Sequence, residues 1–175
     1  MNVTLIGMAG AGKSYIGKQL AERSGLLFYD NDEALLQAYG RPIQESLEVL
    51  GEEAFLDGEA RVLEHGTRGR DGLVISPGGS VIYRDAVMHH LKDISSIVYL
   101  QVPFETVEAR LRNLPPRAII GLGRKSLREL YDERHPLYAQ SADLVVETGK
   151  LSADQIVEAI TDYLGVDRNN GAATV

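Results

Sequence analysis

Gly7-Met8-Ala9-Gly10-Ala11-Gly12-Lys13-Ser14 decides the fold. The stretch fits G-x-x-x-x-G-K-[ST], the phosphate-binding loop of nucleoside-triphosphate enzymes. Glycines let backbone N–H groups turn inward around phosphate oxygens with no Cβ in the way. Val3-Thr4-Leu5-Ile6 before it is a short apolar strand, and Ser14-Tyr15-Ile16-Gly17-Lys18-Gln19-Leu20-Ala21 after it opens a helix. A helix N-terminus adds partial positive charge at the same place. Lys13 can reach the β- and γ-phosphates of ATP, and the Ser14 hydroxyl can ligate Mg²⁺.

The bulk numbers narrow the class. A chain of 175 residues with 44% hydrophobic content suits one folded domain. There is no cysteine, which excludes disulfides, thiolate metal sites and a cysteine nucleophile. No apolar run reaches membrane-spanning length, and the N-terminus enters a strand without a secretory pattern. A cytoplasmic monomer that engages neither membrane nor nucleic acid is expected. The net charge of -7 supports the last point, because nucleic-acid binders are basic. Positive charge is instead concentrated between Arg110 and Arg134.

Strand and helix signals alternate, which predicts a mostly parallel sheet with helices on both faces. Strands are expected at Val3–Ile6, Leu27–Tyr29, Leu73–Ser76, Ile97–Val102 and Leu144–Glu147. Helices are expected at Ser14–Ser24, Asp32–Ala38, Ile43–Leu50, Glu52–His65, Arg84–Leu91, Phe104–Arg112, Leu127–Ala139 and Ala153–Leu164. Ser152 suits the N-cap of the last helix, and Pro103 the start of the helix at Phe104. Pro115, Pro116, Gly121 and Gly123 make 113–124 a long loop, the kind that serves as a lid. Residues 166–175 read as a flexible tail.

The phosphate loop alone leaves GTPases, ATP-driven machines and small kinases. No N-K-x-D motif reads guanine here, and Ile97–Val102 runs into Pro103 with no metal-binding aspartate. The carboxylates follow the second strand instead, as Asp30-Asn31-Asp32. One can hold Mg²⁺ through water and the other can accept a hydrogen bond from an acceptor hydroxyl. Asp30 or Asn31 could equally be the cap of the next helix. The histidines lack metal-ligand spacing, and His65, His89 and His90 read as helix-surface residues. His135 lies beside Arg134, either facing phosphate or on the helix surface. Tyr131 and Tyr138 read as packing residues, and Arg124, Lys125 and Arg128 as a solvated face.

In order along the chain, these residues resemble the shikimate kinase family. The match runs through Gly7–Ser14, Asp30 and Asp32, Gly51-Glu52-Glu53-Ala54-Phe55, Gly78-Gly79, and Arg134-His135-Pro136-Leu137-Tyr138. Arg110 and Arg117 keep the family's spacing. The resemblance implies an α/β P-loop kinase over 1–165, with a five-stranded parallel sheet and a mobile lid. It implies phosphotransfer from ATP with Mg²⁺ to a hydroxyl of a small anionic metabolite, shikimate in the family. Gly10, Ala11, Gly12, Lys13 and Ser14 would hold the ATP phosphates, with Tyr15 adjoining them and Arg110 near adenine. Ser14 and Asp30 would serve the metal. Asp32, Gly78, Gly79, Ser80 and Arg134 would bind the acceptor, Arg134 through a carboxylate. Lys13, Asp32 and Arg117 would carry catalysis, Arg117 descending with the lid.

Departures cluster on the acceptor side. The family pattern F-R-x-x-E stands here as Phe55-Leu56-Asp57-Gly58-Glu59, so leucine replaces a substrate arginine. Losing one charge-assisted contact costs about 1.5–3 kcal/mol, and a buried Glu59 without its cation would cost more. Ser80 replaces the third glycine of a Gly-Gly-Gly turn and brings a hydroxyl beside the acceptor. Arg117-Ala118-Ile119-Ile120 stands where the family has Arg-Pro-Leu-Leu. Arg84 or Arg61 could replace the missing cation. Two alternatives remain open: a kinase of another hydroxyl metabolite or nucleoside, and a non-catalytic ATP-binding regulator.

Overall fold

A computed structural model describes residues 1–113 and 118–165; Arg117 and the segment read as a tail lie outside them. Strands β1 (Asn2–Ile6), β2 (Leu27–Asp30), β3 (Leu73–Ser76), β4 (Ser95–Gln101) and β5 (Leu144–Glu147) form one sheet in the order β2-β3-β1-β4-β5. Every pairing is parallel. Helices α1 (Lys13–Ser24), α2 (Asn31–Tyr39), α3 (Ile43–Leu50), α4 (Glu52–Thr67), α5 (Asp85–Ile94), α6 (Phe104–Arg112), α7 (Leu127–Ser141) and α8 (Ala153–Leu164) flank it. The expected elements are all present, with no end moved by more than three residues. A 3₁₀ turn at Val81–Tyr83 is additional.

Strand parity divides the core. Val3, Leu5, Val74, Val98 and Leu100 point to one face and pack on Ile16 and Leu20 of α1 and Ile156, Val157 and Ile160 of α8. Ile6, Leu73, Ile75, Ile97 and Tyr99 point to the other, against Leu63 of α4, Leu91 of α5 and Tyr138 of α7. Alternation puts successive side chains on opposite faces, so strands covered on both sides read as continuous apolar runs. Burying each such leucine contributes about 1.5–3 kcal/mol. A third cluster, Leu35, Phe55, Leu56 and Ile120, sits apart from both.

Local signals set the helix ends. Ser126 with Glu129 and Ser152 with Gln155 form capping boxes on α7 and α8. Pro136 lies inside α7 and cannot donate to the carbonyl one turn back, yet the helix continues to Ser141. No helix among the described residues is long and apolar enough to cross a membrane. In a parallel sheet ligands collect at the carboxyl ends of the strands, where connections diverge to opposite sides. Here that edge carries the loop after β1, Asp30 at the end of β2, and Pro77–Ser80 after β3.

Candidate active site

The loop after β1 is shaped by two left-handed glycines, Gly10 at φ 80° and Gly12 at φ 91°. Residues with a Cβ rarely hold that conformation. Gly12 caps α1, and its carbonyl accepts from Ile16 N–H at 2.9 Å. Lys13 Nζ donates to the Gly7 and Met8 carbonyls at 2.9 and 3.1 Å, which holds the ammonium across the loop. Arg110 on α6 donates to the Gly10 carbonyl at 3.0 Å. Tyr15 is exposed on the rim.

Asp30 caps the helix that follows it and also reaches Ser14. Its Oδ1 accepts from Asp32 N–H at 3.0 Å and caps α2, while its Oδ2 accepts from Ser14 Oγ at 2.9 Å. The cap fixes the carboxylate beside the serine hydroxyl. Ser14 and Asp30 form a hard-oxygen pair that fits Mg²⁺, which takes one or two protein oxygens and completes its shell with phosphate and water. No group of three or more acidic, histidine or cysteine ligands capable of caging a metal occurs among the described residues.

One cavity of about 1200 Å³ joins this loop to a second end lined by Asp32, Ile43, Phe55, Glu59, Gly78 and Ser80. Glu59 is 5% exposed and accepts from Ser80 Oγ at 2.7 Å. A Cβ on Gly78 would fall 2.1 Å from Glu59 Oε1, so only glycine allows this approach. Burial pushes the Glu59 carboxyl up to about 7. The Ser80 hydrogen bond opposes that shift, nearby Asp32 reinforces it, and Lys13 and Arg134 oppose it. Gly79 touches the phosphate loop: a Cβ there would lie 3.3 Å from the Gly7 carbonyl. The Gly79 carbonyl accepts from the buried Tyr138 hydroxyl at 2.5 Å.

The arginines stand elsewhere. Arg134, only 1% exposed, donates through Nε to Tyr83 Oη at 3.0 Å and through Nη2 to the Ile120 carbonyl at 2.6 Å. Its guanidinium lies 5.0 Å from the Tyr83 ring centre, and it does not line the cavity. Leu56 is packed into the Leu35–Phe55–Ile120 cluster. Arg84 pairs outside the cavity with Glu53 at 2.8 Å and Asp57 at 3.0 Å, and Arg61 is exposed. Among the described residues, no guanidinium lines the acceptor end.

Two histidine expectations are corrected. His135 is half-buried and engaged by tyrosines: Nδ1 shares a hydrogen bond with Tyr99 Oη at 2.9 Å, and the ring stacks on Tyr131. Its place on α7 turns it toward β4. His90 is half-buried rather than on the surface, bonded through Nε2 to Thr67 Oγ1 at 2.8 Å across α5 and α4. Arg124, Lys125 and Arg128 form exposed ion pairs with Glu52, Glu133 and Asp132, as a solvated face should.

A family model described as shikimate kinase matches residues 9–165. The chain belongs to the shikimate kinase family. It is 35% identical to a shikimate kinase of Persephonella marina over 91% of this chain and 96% of that one. It is 36% identical to a shikimate kinase of Tolumonas auensis over 94% and 97%. The structure of an Acinetobacter baumannii shikimate kinase in complex with shikimate superposes with a TM-score of 0.82 at 32% identity, covering 93% of this chain and 92% of that one. The Aquifex aeolicus shikimate kinase gives 0.78 at 27% identity over 98% and 100%.

The shikimate kinase pattern brings Lys13, Ser14, Asp30, Asp32, Gly78 and Ser80 around one cavity. It does not reveal the Glu59–Ser80 hydrogen bond or the Tyr138–Gly79 support. The signal for the first was present as two departures, Leu56 and Ser80. One withdraws a partner from Glu59 and the other supplies one.

Proposed function

We propose that this chain transfers the γ-phosphoryl group of ATP to a hydroxyl of shikimate. One observation carries the reading: a single cavity is lined by Ala9–Ser14 of the phosphate loop, by the carboxylate of Asp32 and by the turn at Gly78 and Ser80. Shikimate kinase membership supplies the acceptor.

The residues divide the work by position. The amides of Gly10–Ser14 and the N-terminus of α1 surround the phosphates, and Lys13 swings from the Gly7 and Met8 carbonyls to the transferring group. Asp32 accepts the proton of the attacking hydroxyl as the acceptor oxygen bonds to phosphorus and the bridging oxygen leaves with ADP. Asp30 holds Ser14 ready as the metal ligand. Ser14 and Asp30 would hold Mg²⁺, which would supply charge neutralisation to the phosphates. Arg110 borders the nucleotide end, and Arg117 is the proposed lid arginine. Catalysis here is positioning and charge compensation, as phosphoryl transfer requires. The working unit is a monomeric domain over 1–165, since one chain supplies both ends of the cavity. A cytoplasmic setting fits its use of ATP and its lack of cysteine.

A coupled assay of ADP release with Mg²⁺ and ATP, with and without shikimate, tests this. Saturable stimulation with one phosphorylated product per ADP is expected. The acceptor end, lined by Glu59 and by no guanidinium among the described residues, favours a second reading in which another hydroxyl metabolite is the acceptor. ATP binding without shikimate stimulation, and turnover with that other acceptor, would select it.

A further inference from the structure

The acceptor end presents two carboxyl groups, Asp32 from α2 and Glu59 from α4. The remaining lining there is apolar or hydroxyl: Ile43, Phe55, Gly78 and Ser80. Arg134 is turned into Tyr83 and the Ile120 carbonyl, and Leu56 is sealed in an apolar cluster. Among the described residues, an acceptor bearing a carboxylate therefore meets negative charge with no guanidinium lining this end, Arg134 acting on Glu59 only from behind the wall. Asp32 must stay ionised to take the hydroxyl proton, which leaves Glu59 as the group that can be neutralised.

We propose that Glu59, held by Ser80, is a specificity-determining residue that must carry a proton when a carboxylate-bearing acceptor binds. The inference rests on the shikimate reading. In that state Glu59 becomes a hydrogen-bond donor, so the site offers an acidic O–H where the family pattern offers a guanidinium. The carboxyl suits the task, since burial already pushes it up to about 7. The groups facing it are Asp32 from α2, which favours protonation, Lys13 from the phosphate loop and Arg134 from α7, which oppose it, and the Ser80 hydroxyl, which also opposes it. From α3 only uncharged Ile43 reaches this end.

The test is shikimate binding to the full chain with Mg²⁺ and ADP, by calorimetry at about pH 6 and about pH 8 in two buffers of different ionisation enthalpy. If the acceptor binds only the protonated form, affinity falls about tenfold between those values, and about one proton is taken up on binding at the higher one. Glu59→Gln should flatten both. Ser80→Gly should move the transition to higher pH, because it removes a donor that favours the ionised form. This displacement is not expected from a merely structural role. Turnover of shikimate with pH-independent affinity overturns this inference and leaves the shikimate reading intact. A tenfold change that persists in folded Glu59→Gln also overturns it, pointing to Asp32 instead. No turnover of shikimate at any pH overturns the reading on which it rests.

Discussion

Glu59→Gln removes one titratable proton at nearly constant volume, and its stability effect is readable without any substrate. In the folded chain burial pushes this carboxyl from 4.5 up to about 7. Between those values the folded state holds a proton that the unfolded state has released, so stability falls as pH rises through the window. Stability is therefore full below about pH 4.5, declines to about pH 7 and is level above. Moving a carboxyl from 4.5 to about 7 corresponds to about 3 kcal/mol at the upper plateau. Glutamine keeps an oxygen that can accept from Ser80 but carries no such penalty. The stability of Glu59→Gln relative to the natural chain should therefore rise by about 3 kcal/mol between about pH 4.5 and about pH 8. Taking the difference cancels distant titrating groups. The chain has no tryptophan, so urea unfolding is followed by far-ultraviolet circular dichroism or by tyrosine fluorescence. Parallel stability curves for the two proteins across that range would refute the reasoning.

Other perturbations test other parts. Lys13→Ala should abolish transfer while leaving the fold intact, measured by coupled ADP release; near-normal turnover would remove the loop from the mechanism. Leu56 and Glu59 are three apart on α4 and share a face, so Leu56→Arg should restore a cation there and lower the KM for shikimate about tenfold. An unchanged KM in the folded variant would mean the pocket does not receive the carboxylate at that point. Tyr138→Phe strips the Gly79 carbonyl of its buried donor and should cost about 1–3 kcal/mol in urea unfolding; a change within a few tenths would show that the contact contributes little. Arg117→Ala should lower kcat far more than ATP affinity, because a lid arginine acts mainly on the transition state; equal kcat in both proteins would end its catalytic role.

The readable parts of the site were those whose chemistry is local in sequence. Gly7–Ser14 is a contiguous phosphate cradle flanked by a strand and a helix, so spacing was enough. Asp30 and Asp32 were legible as a pair, and the cap is compatible with the proposed metal role, since one oxygen of Asp30 caps α2 and the other accepts from Ser14. The strands were visible because burial on both faces leaves unbroken apolar runs such as Leu73–Ile75. Arg134 shows where sequence reading stops. Its family motif pointed it at the acceptor, but the partners that receive it, Tyr83 and Ile120, lie 51 and 14 residues away. Glu59 and Ser80, 21 residues apart, could each be recognised as unusual. That one compensates for the other depended on α4 lying against the turn after β3, which no local pattern encodes.

The β1–β3 pairing has a further consequence. Val3 lies opposite Val74 and Thr4 opposite Ile75, and the donor loop and the acceptor turn leave directly from the ends of these two strands. Gly79 is thereby set against Gly7. The spacing between the two loops is thus gauged by a ladder of main-chain hydrogen bonds, a joint in the interior. Leu56 and Glu59 belong to a different part, the helical bank that faces this joint. Substitutions such as Leu56 can therefore alter the wall of the cleft on the helical side without disturbing the joint that sets its two loops side by side.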